Sequence, residues 1–392
     1  MRDVLESVGN PQEAFRSVHI AGTKGKGSTA IMLEAILRRA GMRTGLYTSP
    51  HLVHLFERIR IGRREIRESE FVTALNALDP AMRRLRPTFF EIVTAAAFWL
   101  FRRSRVEIAV VEVGLGGRLD ATNVIRPEFS IITTIDYDHT ELLGRTLAKI
   151  AGEKAGIVKP GVPVFTSERK TEPRKVIEAC ARKAGSVIAR VGRELRIRTP
   201  SVRDPRVIEF VLEVDGRPAA RIRLPMPGRH QMENAALAAA VALRLGVSRG
   251  IVERGLAGVR LPGRIERVAR RPEVIVDVAH NPVSIRALRR ALWPCAGRCW
   301  LVFGTSRDKD FRTMLRELAP ATDVGLLTRA RSPRAVPPAE LARVAPFPSV
   351  TIGSVARAVR LALRRAAPRD RVLVAGSFYV AGEALEELRK GR

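Results

Sequence analysis

Apolar and polar positions alternate along this chain in two periods, and the switches between them predict its elements. A short apolar run (Val18, Ile20, Ala21) leads into a glycine-rich turn. After the turn, Ile31, Leu33, Ala35, Ile36 and Leu37 recur at helical spacing, which predicts a helix to about Ala40 with Gly41 as its stop. Thr44 to Tyr47 reads as a second strand, ending in the turn signal TSPHL (Thr48 to Leu52). Phe56 to Ile66 alternates around a glycine like a hairpin. Helical spacing returns over Ser69 to Leu85 and Thr88 to Arg103, the latter apolar nearly all round and so predicted to be buried. Val106 to Val113 is a β-branched run that predicts a central parallel strand, and Phe129 to Ile135 repeats it.

Residues 149–165 predict a helix, a glycine exit and a Pro-rich turn into a strand. Residues 190–224 read as short alternating strands of an antiparallel subsheet, and Gly228 to Gly246 as an Ala-rich helix. Leu261-Pro262-Gly263 breaks the pattern. Beyond it, strands at Val274–Val278, Trp300–Phe303, Val324–Thr328, Val350–Ile352 and Val372–Ala375 alternate with helical segments. The expected fold class is therefore α/β. A first domain, 1–261, carries a mostly parallel sheet, and a smaller Rossmann-like domain, 262–392, follows. No G-x-G-x-x-G fingerprint is present, which argues against a dinucleotide cofactor.

Composition narrows the class. At 392 residues, with 46% hydrophobic and 28% charged residues, the chain is that of a soluble protein able to bury real cores. No run reaches the ~18 apolar residues of a membrane span, and the N-terminus lacks a signal-peptide pattern. The three cysteines, Cys180, Cys295 and Cys299, have no histidines beside them, so reduced thiols and a cytoplasmic location are expected rather than a zinc site. The net charge is +29, from 69 Lys+Arg against 40 Asp+Glu. The arginines are scattered through nearly every segment and not interleaved with aromatics. That favours compositional bias, or attraction of small anions, over nucleic-acid binding.

Candidate chemistry sits at the strand ends. Strand, Gly-rich loop and helix in that order (SVHIAGTKGKGS, Ser17 to Ser28) make a phosphate cradle of backbone N–H groups and a helix N-terminus. Gly22, Thr23, Gly25, Lys26, Gly27 and Ser28 form it. Lys26 would reach the outer phosphates, and the Ser28 or Thr29 hydroxyl would face Mg2+. The spacing is not a standard Walker A, because Gly27 stands between Lys26 and Ser28. Glu112 and the group Asp136, Asp138 and His139 end two strands beside that loop, where ligands collect in open α/β sheets and where carboxylates suit Mg2+. Lys154, next to Glu153, reads by pattern as a solvated pair. Asn234 near a helix start reads as helix-terminal chemistry, with a ligand contact as the alternative.

Together these motifs resemble the folylpolyglutamate synthase/dihydrofolate synthase family of the Mur ligase superfamily. The markers are HIAGTKGKGST, TSPHL, FERIRI, EVGLGGRLDATN, DHTELLG, EKAGIVKPGVPV, GRHQMENA, LPGRIE, DVAHNP, FGTSRDKD and GSFYVAGE, in family order from about Asn10 to Gly382. The resemblance implies an ATP-dependent amide ligase that adds L-glutamate to a folate carboxylate through an acyl phosphate. It implies a Mur-type ATPase domain over 1–261 and a glutamate ligase domain over 262–392. Carried over position by position, Lys26 and Ser28 match the phosphate-loop pair. Ser28, Ser49, Glu112 and His139 match Mg2+ ligands, for one or two ions. Lys154 matches a lysine that is carbamylated in the family. Asn234, Arg264 and Asp277 match nucleotide contacts, His280 and Ser377 match positions near the incoming glutamate, and Asp120 and Thr122 match the pterin-side loop. The implied partners are ATP, L-glutamate and folate or dihydropteroate, with no membrane or nucleic acid and a monomeric state.

Two departures stand out. Lys24 replaces the family's usual Asn, as an extra cation for the phosphates or as a solvent-facing side chain. The chain also begins close to the loop, without most of the family's N-terminal helical segment, which leaves dihydropteroate use open. The sequence also admits a Mur-type ligase with a different carboxylate, a nucleotide-dependent nucleic-acid-binding protein, and a catalytically degenerate binding protein.

Overall fold

The structure is a computed structural model in which residues 1–199 and 204–390 are described. Eight strands form the first sheet: β1 (Arg16–Ala21), β2 (Thr44–Tyr47), β3 (Ile59–Ile61), β4 (Arg64–Glu65), β5 (Ile108–Glu112), β6 (Phe129–Ile132), β7 (Val164–Thr166) and β8 (Ile188–Arg190). Their order is β4-β3-β2-β5-β1-β6-β7-β8. Only the β3–β4 hairpin, turning at Gly62, runs antiparallel to its neighbours. The parallel majority follows from composition: every residue of β5 is buried, as a strand covered on both faces requires. Ile108 and Val110 face one core with the helices Lys26–Arg39 and His230–Arg244. Ala109 and Val111 face the other, with Glu68–Leu85 and Phe89–Arg103. The period-two alternation of strand side chains makes that division.

The span 190–224, outside 200–203, holds a three-stranded antiparallel sheet of β9 (Leu195–Arg198), β10 (Ile208–Val214) and β11 (Arg217–Leu224). The second large sheet comprises β12 (Glu266–Arg270), β13 (Glu273–Val276), β14 (Cys299–Phe303), β15 (Val324–Leu327), β16 (Ser349–Thr351) and β17 (Arg371–Ala375). Its order is β12-β13-β17-β14-β15-β16, parallel except for β12. Separate apolar cores lie on its two faces.

Several elements lie outside the pattern read from sequence, among them the helices Thr171–Lys183, Arg249–Ala257 and Phe378–Lys390, and β12. The first has a narrow stripe, with Pro173, Ile177 and Ala181 as its buried residues. β12, with sequence ERVAR, is defined by its pairing to β13 rather than by apolar alternation. β6 stops at Ile132, three residues before the expected end. There the chain leaves the sheet to line the glycine-rich loop: Thr133 N donates to Ala21 O, and Thr134 pairs with Lys24. Among the described residues no helix is long and apolar enough to cross a membrane.

Candidate active site

The loop after β1 owes its course to glycines in two places. Gly22 has φ +145° and Gly25 φ +92°, both in the region that favours glycine. A Cβ on Gly22 would lie 1.8 Å from Thr133 Oγ1, and one on Gly25 would lie 2.4 Å from Asn234 Oδ1. The loop is thus pressed against β6's exit on one side and the helix His230–Arg244 on the other. Gly25 caps the helix Lys26–Arg39. The first helical bond there is Thr29 N to Gly25 O, so the N–H groups of Lys26, Gly27 and Ser28 are left for an anion. Asn234 Nδ2 donates to Gln231 Oε1, which aims its oxygen at Gly25.

Glu112, at the end of β5, lies against the first turn of that helix. A Cβ on Gly27 would be 3.2 Å from Glu112 Oε2. The same oxygen accepts the Ser49 N–H at 3.0 Å, which ties in the loop after β2, where Ser49-Pro50 is cis. Burial raises the Glu112 pKa, opposed by Lys26, the Ser49 N–H and Arg264. Lys26 therefore stands within electrostatic reach of the carboxylate.

Lys154 is not the solvated partner of Glu153. It is buried and donates to Gly22 O at 3.0 Å, while Glu153 pairs with Arg118. Burial, reinforced by Lys26 and opposed by Asp138 and Asp120, brings its pKa down to about 8. The LDATN loop lies against the end of Lys154's helix: Arg118 N donates to Glu153 O, and a Cβ on Gly117 would meet Lys154 O at 2.8 Å. Asp120 organises this loop by accepting Leu115 N, Thr122 N and the Thr122 hydroxyl. On it Leu115 and Leu119 are exposed, as are Phe89 and Leu142, whose neighbours Phe90 and Leu143 touch Gly114 and Gly116. Sequence reading missed this apolar rim, because its residues come from three separate segments of the chain.

The second sheet contributes the other wall. Arg264 lies over the Phe378 ring, 5.3 Å from its centroid. Burial lowers its pKa, opposed by Asp277 and Glu112. Asp277 is buried and accepts Ile265 N at 2.8 Å and Ala279 N at 2.7 Å. It thereby holds Ile265 at φ +47°, which is unusual for a β-branched residue. His280 Nδ1 lies 3.0 Å from Val278 O, which can only accept, so Nδ1 carries the proton. Its ring packs on Phe378 at 5.4 Å, and burial lowers its pKa, against the pull of Val278 O and Asp138. Ser377 Oγ accepts Val380 N and caps the final helix. Leu52 joins the two walls: a Cβ on Gly382 would lie 2.0 Å from Leu52 O, and one on Gly263 would lie 3.2 Å from its side chain.

His139 stands apart. It opens the short helix Thr140–Leu143 at φ +47°, half its side chain is exposed, and Asp138 is 3.7 Å away. Among the described residues no three His, Cys, Asp or Glu side chains could hold a metal by themselves. The oxygen donors at the cradle fit Mg2+, which takes few protein ligands and completes its shell with phosphate and water. Lys24 is paired with Asp136, its Nζ donating to Oδ2 at 3.0 Å.

Comparison with known proteins identifies the chain's relatives. Residues 20–242 match the Mur ligase middle domain, and 263–378 match the Mur ligase glutamate ligase domain. The Lacticaseibacillus casei folylpolyglutamate synthase is 32% identical, over 99% of this chain and 94% of that protein. A Thermotoga maritima folylpolyglutamate synthase structure superposes with a TM-score of 0.90 at 33% identity, covering 100% of this chain and 93% of that one. An Escherichia coli FolC structure in complex with DHPP and ADP gives a TM-score of 0.86 at 32% identity, with coverage of 100% and 93%. The chain belongs to the Mur ligase family, among its folylpolyglutamate and dihydrofolate synthases.

Proposed function

We propose that this protein is an ATP-dependent ligase that joins L-glutamate to a folate carboxylate. The observation that carries the reading is the convergence of a carboxylate, Glu112, and a buried lysine, Lys154, on the backbone of one glycine-rich loop headed by Lys26. A carboxylate is a poor electrophile. ATP therefore transfers its γ-phosphoryl group to the folate carboxylate, giving an acyl phosphate and ADP. The glutamate amine adds to the acyl carbon, loses a proton, and the tetrahedral adduct expels phosphate to leave the amide.

The N–H groups of Lys26, Gly27 and Ser28 and the Lys26 ammonium would hold the phosphates. Arg264 would reach the transferring group from the other wall, Asn234 and Asp277 would bind the nucleoside, and ATP would lie between domains 1–261 and 262–392. Ser28, Ser49 and Glu112, with His139 brought in by its turn, would hold Mg2+, which when bound neutralises phosphate charge. Lys154 suits carbamylation: its pKa near 8 supplies the neutral amine that CO2 requires, and the product is an anion where an ammonium stood. His280, with Nε2 bare, and Ser377 would face the incoming glutamate. The exposed Phe89, Leu115, Leu119 and Leu142 suit a flat heteroaromatic acceptor beside Asp120 and Thr122. The assignment includes a monomer at work in the cytoplasm, with the three cysteines unpaired.

Glutamate-dependent ADP release with dihydropteroate or tetrahydrofolate tests this. Lys26→Ala and Glu112→Ala should abolish it. Wild-type-like turnover in either would sink the site assignment, and turnover with a UDP-muramoyl acceptor in place of folate would reassign the substrate.

A further inference from the structure

We propose that His19 is a positioning residue for the acceptor loop, holding the Thr122 hydroxyl so that it donates to the Asp120 carboxylate. This rests on the reading of Asp120 and Thr122 as the folate side of the site.

His19 lies in the middle of β1, between Val111 of β5 and Ser130 of β6, and is fully buried. An imidazole in a central strand, where an apolar residue would pack without cost, needs a reason. Its Nε2 lies 2.8 Å from Thr122 Oγ1, and Thr122 Oγ1 lies 2.5 Å from Asp120 Oδ1. Proton counting sets the direction. Burial raises the Asp120 pKa, but the Leu115 and Thr122 N–H groups that it accepts oppose this and favour the carboxylate. The single hydroxyl proton of Thr122 goes to that carboxylate, so Thr122 Oγ1 accepts from His19 Nε2–H.

The other ring nitrogen bears this out. His19 Nδ1 is buried with no hydrogen-bond partner. As a bare lone pair it is tolerable, whereas the reverse chain would leave an orphaned N–H donor there, which is rarer and costlier. Burial, with the Lys159 cation, pushes the His19 pKa down to about 3, so the ring stays neutral and keeps one tautomer. A single-direction relay, His19 to Thr122 to Asp120, thus runs from the sheet core to the loop surface. Lys159 ties down the next residue through Asn123 O and Oδ1.

Two measurements on the full chain test this. In 15N-histidine NMR, the signal lost in His19→Leu should be a neutral Nε2–H ring that does not titrate between pH 5 and 8. An Nδ1–H tautomer, or a charged ring in that range, overturns the relay. In steady-state kinetics, His19→Leu should raise the KM for the dihydropteroate or tetrahydrofolate acceptor about tenfold, with the KM for ATP unchanged. His19→Gln, which keeps an N–H donor, should restore it. Thr122→Val, which leaves β1 untouched, should reproduce the defect if His19→Leu folds poorly. Equal loss toward ATP and acceptor, or no rescue by Gln, overturns the proposal. Asp120→Asn separates the two readings. If it leaves the acceptor KM unchanged, the loop assignment fails and the proposal with it. If it raises that KM while His19→Leu and Thr122→Val do not, only the proposal fails.

Discussion

The Lys154 ammonium donates to the carbonyl of Gly22 at 3.0 Å, so a helix from the far side of β6 reaches the first glycine of the phosphate loop. The contact places a lysine with a lowered pKa where the nucleotide's charge would gather.

Lys154 should react with CO2 in a pH-dependent way. With 13C-bicarbonate, a carbamate resonance absent from Lys154→Gln should grow as pH rises through about 8, where the amine loses its proton. The linkage sign follows. The folded lysine binds fewer protons than the unfolded one between pH ~8 and its ordinary value, so stability rises with pH across that window. Relative to Lys154→Met, the wild type should gain on the order of 3 kcal/mol in urea unfolding over that span when CO2 is excluded. A flat difference would contradict the buried, depressed lysine.

Gly25→Ala meets two obstacles at once, a left-handed backbone and a Cβ 2.4 Å from Asn234 Oδ1. We expect a stability loss of about 1–3 kcal/mol and at least a tenfold weaker ADP affinity, read by thermal unfolding and calorimetry. Gly41→Ala is the control, with a similar φ of +89° and open space around it, and should cost stability without touching ADP.

Lys24→Asn, which installs the residue usual in this family, should leave the ATP KM within about threefold and stability within about 1 kcal/mol, because the Lys24–Asp136 pair is partly exposed. A double-mutant cycle with Asp136→Asn should show coupling below about 1 kcal/mol. A large rise in the ATP KM would mean that Lys24 binds phosphate after all.

Gly382→Ala should uncouple the two walls, since the added methyl would lie 2.0 Å from Leu52 O, a backbone atom. The expected result is a fall in kcat of at least about tenfold from misplacement of Arg264 and His280, while far-UV circular dichroism is unchanged. Full activity would show that the Leu52 loop is free to yield.

Local pattern carried the sheet strands well where burial was complete. β5 is buried along its whole length and the Phe89–Arg103 helix from Val93 to Phe98, so these runs left little choice. The glycine-rich loop was legible too, because φ above zero and close backbone approach leave few residues besides glycine. Lys154 was not: by pattern it belonged with Glu153 in solvent, and only the packing of its helix beneath the loop buried it. Lys24, unassigned by motif, found Asp136 because β6 ends three residues early and folds back along the loop. His19 showed only as a polar residue inside an apolar run.

The sequence by itself determined the α/β class, the glycine-rich loop and the strand ends where carboxylates collect, since each follows from local periodicity or from one residue's conformational range. Tertiary structure alone decided which of those ends meet. Glu112 against Gly27, Asn234 against Gly25, His19 behind Asp120 and Leu52 against Gly382 join residues from about 85 to over 300 positions apart. Their proximity, and the pKa shifts that come with it, depend on burial and crossing geometry that no local window contains.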